Sequence, residues 1–321
     1  MLAEFWYNII QNDQNTGRAN IRIPEKQSLI GFEEKKEHGD RDFPFTIYPC
    51  SIPVDFARVP VHWHEEMEII AVKKGRGIVT VDRKRYEVGE GEFLFVFPGQ
   101  LHGISRRAGE TVEYENIIFR LELLMSGGED PWTDRFLLPL AEGRAKEPLY
   151  VAKDREGYEE FAVCVQRMDG ISGERGYAYQ LGIKSGLFWL LYLAAACQGR
   201  TGAGEERRNK VREKMKQILS YVEEHYGERI TIEEAAAVCY YSPSHFMKYF
   251  RQYMGISFVQ YLNDYRLARA WAQLARTGET VTNIAQGCGF ENLSYFNRLF
   301  KRRYGMTPGQ MRQRMGQEAP Q

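Results

Sequence analysis

Two stretches near the C-terminus repeat one another, and any fold of this chain must accommodate both copies. Ala235-Ala236-Ala237-Val238-Cys239-Tyr240-Tyr241 aligns with Ile284-Ala285-Gln286-Gly287-Cys288-Gly289-Phe290 at an offset of 49. His245-Phe246-Met247-Lys248-Tyr249-Phe250-Arg251 aligns with Tyr295-Phe296-Asn297-Arg298-Leu299-Phe300-Lys301 at an offset of 50, and Gly255 and Ser257 fall on Gly305 and Thr307. One residue has been added in the turn between. A unit of about fifty residues used twice implies two copies of one supersecondary motif.

Each copy has the composition of a helix-turn-helix. Ala236 and Ala285 are small residues where a second helix must cross closely, and four positions on Gly289 suits a left-handed turn. Tyr240 stands at that turn in the first copy, a departure from the pattern. Ser242 followed by Pro243 is an N-cap and first-turn pair. Phe246/Phe250 and Phe296/Phe300, four apart, are expected to face the core. That turns Ser244, Met247, Lys248 and Arg251 outward in one copy, and Ser294, Asn297, Arg298 and Lys301 in the other. Such side chains suit base edges and phosphates, arginine pairing with guanine and asparagine with adenine. Solvated surface charge is the plainer explanation for one such helix, but two copies with a basic residue at the same place favour DNA. Residues 257–276 read as one helix between the copies, about 30 Å long, close to one turn of duplex.

The charge pattern agrees. The chain of 321 residues has no formal net charge, yet residues 205–321 hold 18 Lys+Arg against 12 Asp+Glu and the rest 25 against 31. A basic module beside an acidic remainder fits a polyanion reader joined to a separate domain. With 43% apolar and 27% charged residues the chain reads as soluble and globular, with no apolar run long enough to span a membrane and no signal peptide, so a cytoplasmic, nucleoid-associated location is expected. Five scattered cysteines (Cys50, Cys164, Cys197, Cys239, Cys288) without a CxxC pair fit a reducing compartment and argue against a zinc module or disulfide scaffold. Cys239 and Cys288 occupy equivalent positions of the repeat and are expected to be packing residues.

Upstream the pattern is different. Segments 67–73, 77–82, 85–88 and 93–97 are rich in Val, Ile and Phe, with turn signals at Gly75-Arg76-Gly77, Asp82-Arg83 and Gly89-Glu90-Gly91. Such hairpins predict a small β-barrel or jelly roll. Segments 156–168 and 177–197 carry helical periodicity; in the second, Leu181, Lys184, Phe188, Leu191 and Ala195 form a stripe that Leu187, Leu190 and Leu193 widen. This helix is a candidate dimer contact, with packing on its own barrel an equal alternative. The expected organisation is a multidomain α+β chain: a barrel over 1–120, a helical extension with candidate dimerisation over 121–198, a glycine-rich, charged linker over 199–210 and an all-α module over 211–315.

Within the barrel region, His62, His64 and Glu68 have even spacing, which on a strand puts them on one face. His102 closes Pro98-Gly99-Gln100-Leu101-His102. The whole resembles the cupin pattern HxHxxxE…G…PGxxH. Three readings of His62, His64, Glu68 and His102 stand: hydrogen bonding to a polar effector, a divalent metal site (Mn, Fe, Ni or Zn), or side chains that satisfy one another. Trp63 and Phe95 are candidates for stacking on a sugar ring, and Arg58 for an anionic group, although core packing and a solvated arginine are the plainer alternatives.

Residues 211–314 resemble the DNA-binding domain of the AraC/XylS transcription regulators. The resemblance is carried by Val281-Thr282-Asn283-Ile284-Ala285, by Gly289-Phe290-Glu291-Asn292, by the second-copy helix, and by Gly305-Met306-Thr307-Pro308 with Arg312. It departs at Met311, where the family has an aromatic. The resemblance implies an N-terminal cupin-like effector domain, two helix-turn-helix units joined by a long helix, and DNA contacts from the exposed positions of both second helices, Asn292 included. It also implies a ligand-responsive regulator, an activator by analogy, that binds double-stranded DNA and a small-molecule effector such as a sugar, acts as a homodimer and has RNA polymerase as a partner, with no catalysis and no membrane. The rival from another class is a metal-dependent cupin enzyme with a regulatory tail. A DNA-repair adaptor would need a reactive cysteine cluster, which the scattered thiols do not provide.

Overall fold

The computed structural model describes residues 38–55, 57–126, 130–142, 147–198 and 205–317. The chain divides into two compact units, with the break between Glu213 and Lys214. The first 37 residues of the expected barrel segment and positions 199–204 of the expected linker lie outside the described residues.

Among the described residues the N-terminal unit is built on eight strands: β1 Phe45–Ile52, β2 Val59–His62, β3 Met67–Val81, β4 Lys84–Gly89, β5 Phe93–Val96, β6 His102–Ser105, β7 Val112–Phe119 and β8 Leu149–Val151. All pairings are antiparallel, and β3 organises them: its first half pairs with β5 and β7, its second half with β4 and β6. The turn expected at Gly75-Arg76-Gly77 is instead a bend inside this one strand. A register shift between Val72 and Lys74 and the positive φ of Gly75 (+79°) let β3 change partners without reversing. A Cβ at Gly75 would sit 2.2 Å from the Thr111 carbonyl oxygen, so only glycine fits the bend. The turns at Asp82-Arg83 and Gly89-Glu90-Gly91 fall where expected, between β3 and β4 and between β4 and β5.

Alternation along β3 separates two cores. Ile70, Val72, Val79 and Val81 meet Ile52, Leu94, Val96, Ile104, Val112 and Tyr114 in the cluster the strands enclose. Met67, Ile69 and Ala71 point the other way, with Phe93, Phe95, Ile117 and Phe119, toward helices α1 Tyr158–Glu174 and α2 Tyr179–Gln198. Strand β8 adds to β5 from within 121–198, so that stretch is not wholly a helical extension.

On α2 the buried residues are Ile183, Leu187, Leu190, Leu191, Leu193 and Ala194, whereas Leu181, Phe188 and Ala195 of the expected stripe are exposed. The rotation has a steric cause. Gly182 and Gly186 lie against α1, where an added Cβ would come within 3.0 Å of Ile171 and 2.6 Å of Met168. Their lack of side chain brings the helices together and turns Phe188, Trp189 and Tyr192 to the surface. By length and composition α2 could also cross a membrane, contrary to the expectation that no run could. Its buried row nevertheless belongs to the barrel-side core.

The C-terminal unit comprises the greater part of α3 Glu205–His225, then α4 Ile232–Val238, α5 Pro243–Met254, α6 Phe258–Arg276, α7 Val281–Gly287, α8 Leu293–Tyr304 and α9 Pro308–Gln317. Residues 205–210, expected to be linker, are the first turns of α3, in keeping with a sequence, Glu-Glu-Arg-Arg-Asn-Lys, that contains no helix breaker. Side-chain caps start the shorter helices: Thr231 in a capping box with Glu234, Ser242 before Pro243, Thr280 before α7. Helix α6, 19 residues and so about 28 Å long, serves both copies. Near its start Phe258 and Tyr261 pack on Phe246 and Phe250 with ring centroids 5.1–5.3 Å apart, while Leu267, Ala270, Trp271 and Leu274 join the core of the second copy. Met311 is buried in that second core at the position of the family's aromatic.

Candidate nucleic-acid interface and effector site

In both copies the turn before the second helix adopts one geometry. Tyr241 and Phe290 each donate a backbone N–H to the carbonyl of Ala236 or Ala285 at 3.0 Å, and the residue before each has a left-handed φ, +57° at Tyr240 and +81° at Gly289. The reasons for the different residues are visible. A Cβ at Gly289 would lie 2.4 Å from the Tyr226 carbonyl oxygen, whereas the Tyr240 side chain is 89% exposed. The tyrosine thus costs backbone strain only, and the motif is intact in the first copy.

Helices α5 and α8 bury Phe246, Tyr249 and Phe250, and Phe296, Leu299 and Phe300, respectively. Ser244, Met247, Lys248 and Arg251 are exposed, as are Asn292, Ser294, Arg298 and Lys301; Asn297 is half-buried. Asn292 also caps α8, its Oδ1 accepting the Tyr295 N–H at 2.9 Å. The Arg298 guanidinium lies 5.3 Å from the centre of the Tyr295 ring, and the Tyr295 hydroxyl accepts from Asn263 at 3.1 Å. Arg302, one turn beyond Arg298, is exposed and was missed by pairing the two copies, because its counterpart is the uncharged Gln252. The four-residue spacing alone would have found it. Cys239 and Cys288 are fully buried, and burial pushes the Cys288 thiol up to about 12, so neither is a reactive centre.

In the N-terminal unit the four predicted donors converge: one ligand atom from each of His62, His64, Glu68 and His102 lies within 4.8 Å of all the others, and all four residues are buried. They do not share a strand. His62 ends β2 and is the register partner of His102 on β6, His64 lies in the connection that follows, and Glu68 is on β3. The barrel, rather than period-two alternation, brings them together. Glu68 Oε2 lies 3.0 Å from His64 Nε2 and 2.9 Å from His102 Nε2. Burial pushes the Glu68 carboxyl up, but the two histidines outweigh it and hold the group well below the usual carboxylate range. Each imidazole is also anchored at Nδ1 by a backbone carbonyl two residues away: His62 on Pro60 at 2.9 Å, His64 on Glu66 at 3.1 Å and His102 on Gln100 at 2.9 Å. The Gln100 side chain accepts the Phe97 N–H at 2.8 Å and the Glu66 carboxylate accepts from Arg120 at 3.0 Å, so both anchoring loops are themselves braced.

Trp63 is buried. Phe95 is not part of this site: it alternates to the opposite face of the sheet and packs edge-on against Phe161 at 5.7 Å, which removes it as a stacking surface for an effector. Arg58 is half-buried in the segment leading into β2.

A basic pair of exposed helix faces on one unit and an enclosed donor cluster on the other define a ligand-responsive, DNA-binding transcription regulator. A family profile described as an AraC-like ligand binding domain matches residues 54–191, and one described as a helix-turn-helix domain matches residues 235–314. The chain is 24% identical over 279 residues to the HTH-type transcriptional regulator YdeC of Bacillus subtilis, covering 86% of this chain and 94% of that one. It is 26% identical over 259 residues to the HTH-type transcriptional activator RhaS of Klebsiella pneumoniae, covering 79% and 87%. Among solved structures it resembles a DNA-binding transcriptional dual regulator from Escherichia coli K-12, at 27% identity over 33% of this chain and 94% of that one, with a TM-score of 0.31. The chain belongs to the AraC/XylS family of transcription regulators, with an N-terminal cupin-like ligand-binding domain. Its families and relatives are regulators, so the enzyme alternative is set aside.

Proposed function

We propose that this regulator reads two half-sites on one face of the duplex, α5 entering one major groove through Ser244, Met247, Lys248 and Arg251 and α8 the next through Ser294, Asn297, Arg298 and Lys301. Asn292 and Arg302 flank the second contact. The observation that carries this reading is the duplicated exposed face on two helices packed against a single connector about 28 Å long. Lys and Arg supply the phosphate attraction, and Arg298 with Asn297 the base selectivity.

The effector binds in the barrel at His62, His64, Glu68 and His102, and is a small, oxygen-rich metabolite of the carbohydrate class. For a switch to follow, it must favour one arrangement of the DNA-binding modules over another. The protein works as a homodimer through the exposed face of α2, in the cytoplasm and on the nucleoid, and activates transcription by engaging RNA polymerase. Selection of genomic fragments by the purified full-length chain tests the DNA reading. Two half-sites about 10 base pairs apart for each subunit are expected, and recovery of fragments without a shared motif would overturn it. Calorimetry against a panel of monosaccharides tests the effector class; heats no larger than those of dilution across the panel would remove it.

A further inference from the structure

We propose that Tyr295 and Asn263 are positioning residues for base reading: Asn263 of the connector α6 fixes the Tyr295 ring, and the ring holds the Arg298 guanidinium ready for a base edge before DNA arrives. The inference rests on the DNA-reading proposal above and deepens it, naming what sets the selectivity of the α8 contact. Its starting point is an aromatic ring kept at the surface. Tyr295 is 37% exposed, although its neighbour Phe296 is fully buried. The ring is nevertheless held from several sides. Its hydroxyl accepts from Asn263 Nδ2 at 3.1 Å, which ties the first turn of α8 to the second turn of α6. The buried Phe290 ring lies 6.5 Å from it between centroids, and its backbone N–H donates to the Asn292 cap at 2.9 Å.

Arg298 stands three residues on, so it shares a helix face with Tyr295. Long side chains on a helix lean back toward its N-terminus, and here the guanidinium carbon lies 5.3 Å from the centre of the Tyr295 ring. Cation–π attraction of this kind narrows the conformations open to an exposed arginine. The planar fork is thereby carried toward the N-terminal end of α8, the end of a recognition helix that meets base edges. Less side-chain freedom is then lost when DNA binds. The first copy is built differently at the same place. His245 replaces Tyr295 and Lys248 replaces Arg298. The His245 ring lies 4.1 Å from that of Tyr241, and the Tyr241 ring has the Lys214 ammonium of α3 4.1 Å from its centre. That aromatic pair serves α3, and Lys248 remains a point charge suited to phosphate. At this position the two copies are unequal readers: α8 selects a base where α5 supplies attraction.

The test is fluorescence anisotropy of the purified full-length protein with the duplex it selects from genomic fragments and with single-base-pair variants of that duplex. The readout is the ratio of affinities at each base pair, in which any inactive fraction of protein cancels. Arg298→Ala is expected to lower this ratio about 5- to 100-fold at one base pair. Tyr295→Ala is expected to lower it about 2- to 10-fold at the same pair, with no change at the pairs under α5 and no further loss in the Arg298→Ala background. Tyr295→Phe and Asn263→Ala both keep the ring and remove the same hydrogen bond. These two and their double variant should show one small, equal loss and retain most of the selectivity. Wild-type ratios in Tyr295→Ala overturn the proposal, as does a Tyr295→Ala loss that persists undiminished once Arg298 is gone. Unaltered ratios in Arg298→Ala itself would instead remove the α8 reading on which the proposal rests.

Discussion

Arginine 298 and lysine 248 occupy equivalent positions of a duplicated motif, and their exposure gives them the same opportunity to meet DNA. Their side chains are held differently: Arg298 lies over the Tyr295 ring, which presets a planar, two-pronged donor, whereas Lys248 is a point charge on a flexible stem. Replacing Arg298 by Ala is expected to weaken binding to the preferred site by about 1–3 kcal/mol and to relax sequence preference at one base pair. The Lys248→Ala loss, if a phosphate is its partner, should be uniform across sequences. Fluorescence anisotropy with a matched and a scrambled duplex separates the two, and unchanged affinity in both variants would remove these helices from the interface. At the paired turns, Gly289→Ala meets both the Tyr226 carbonyl and a disfavoured φ, and should cost more than about 1 kcal/mol of stability. Tyr240→Gly relieves strain in open space and should cost nothing or stabilise slightly. Thermal unfolding would then show a lowered melting temperature for Gly289→Ala and an unchanged or slightly raised one for Tyr240→Gly.

At the level of elements, the connecting helix and the paired helices α1 and α2 show how much periodicity conveys and where it stops. The connecting helix was legible as one element, and its row Phe258, Tyr261, Leu262 and Tyr265, at helical spacing, is buried because a helix between two similar motifs has to pack against both. Helix α2 was not legible in the same way. It is apolar around most of its circumference, so periodicity does not say which side is buried. Gly182 and Gly186 decide it through close contact with α1, a fact about two helices at once. The face left over has Leu181, Phe188, Trp189 and Tyr192 exposed, and it is the surface the proposed homodimer would use. Phe188→Glu combined with Trp189→Glu is expected to convert a dimer to a monomer in sedimentation velocity while leaving the circular dichroism spectrum unchanged. A wild-type protein that sediments as a monomer at micromolar concentration would rule out the interface.

For the whole molecule, the balance of charge matters more than its sum. The net charge is zero, but the basic third from residue 205 on carries the phosphate attraction and the acidic remainder does not. Binding to any duplex should therefore weaken steeply with salt, the logarithm of affinity falling with the logarithm of salt at a slope of about −0.9 for each phosphate neutralised. A slope near zero in a salt series would contradict a groove-reading role. In the proposed arrangement a dimer would engage four half-sites where a monomer engages two, so a dimerisation-defective variant should keep the per-subunit contacts and lose the avidity.

What the sequence determined by itself was whatever repeats or alternates locally. The duplication, the cap at Ser242, the turns after β3 and β4, and the exposed basic faces all follow from contacts between residues a few positions apart, and these are written into spacing. The tertiary structure alone decided the rest. It bends β3 at Gly75 instead of turning it, turns Phe95 away from the barrel interior, adds β8 to the sheet, and carries His62, His64, Glu68 and His102, which the cupin-like pattern had named as a set, on three strands and a loop instead of one strand face. Those outcomes depend on closing a barrel, in which residues distant along the chain share one small volume, and no local periodicity encodes which strands will deliver them there.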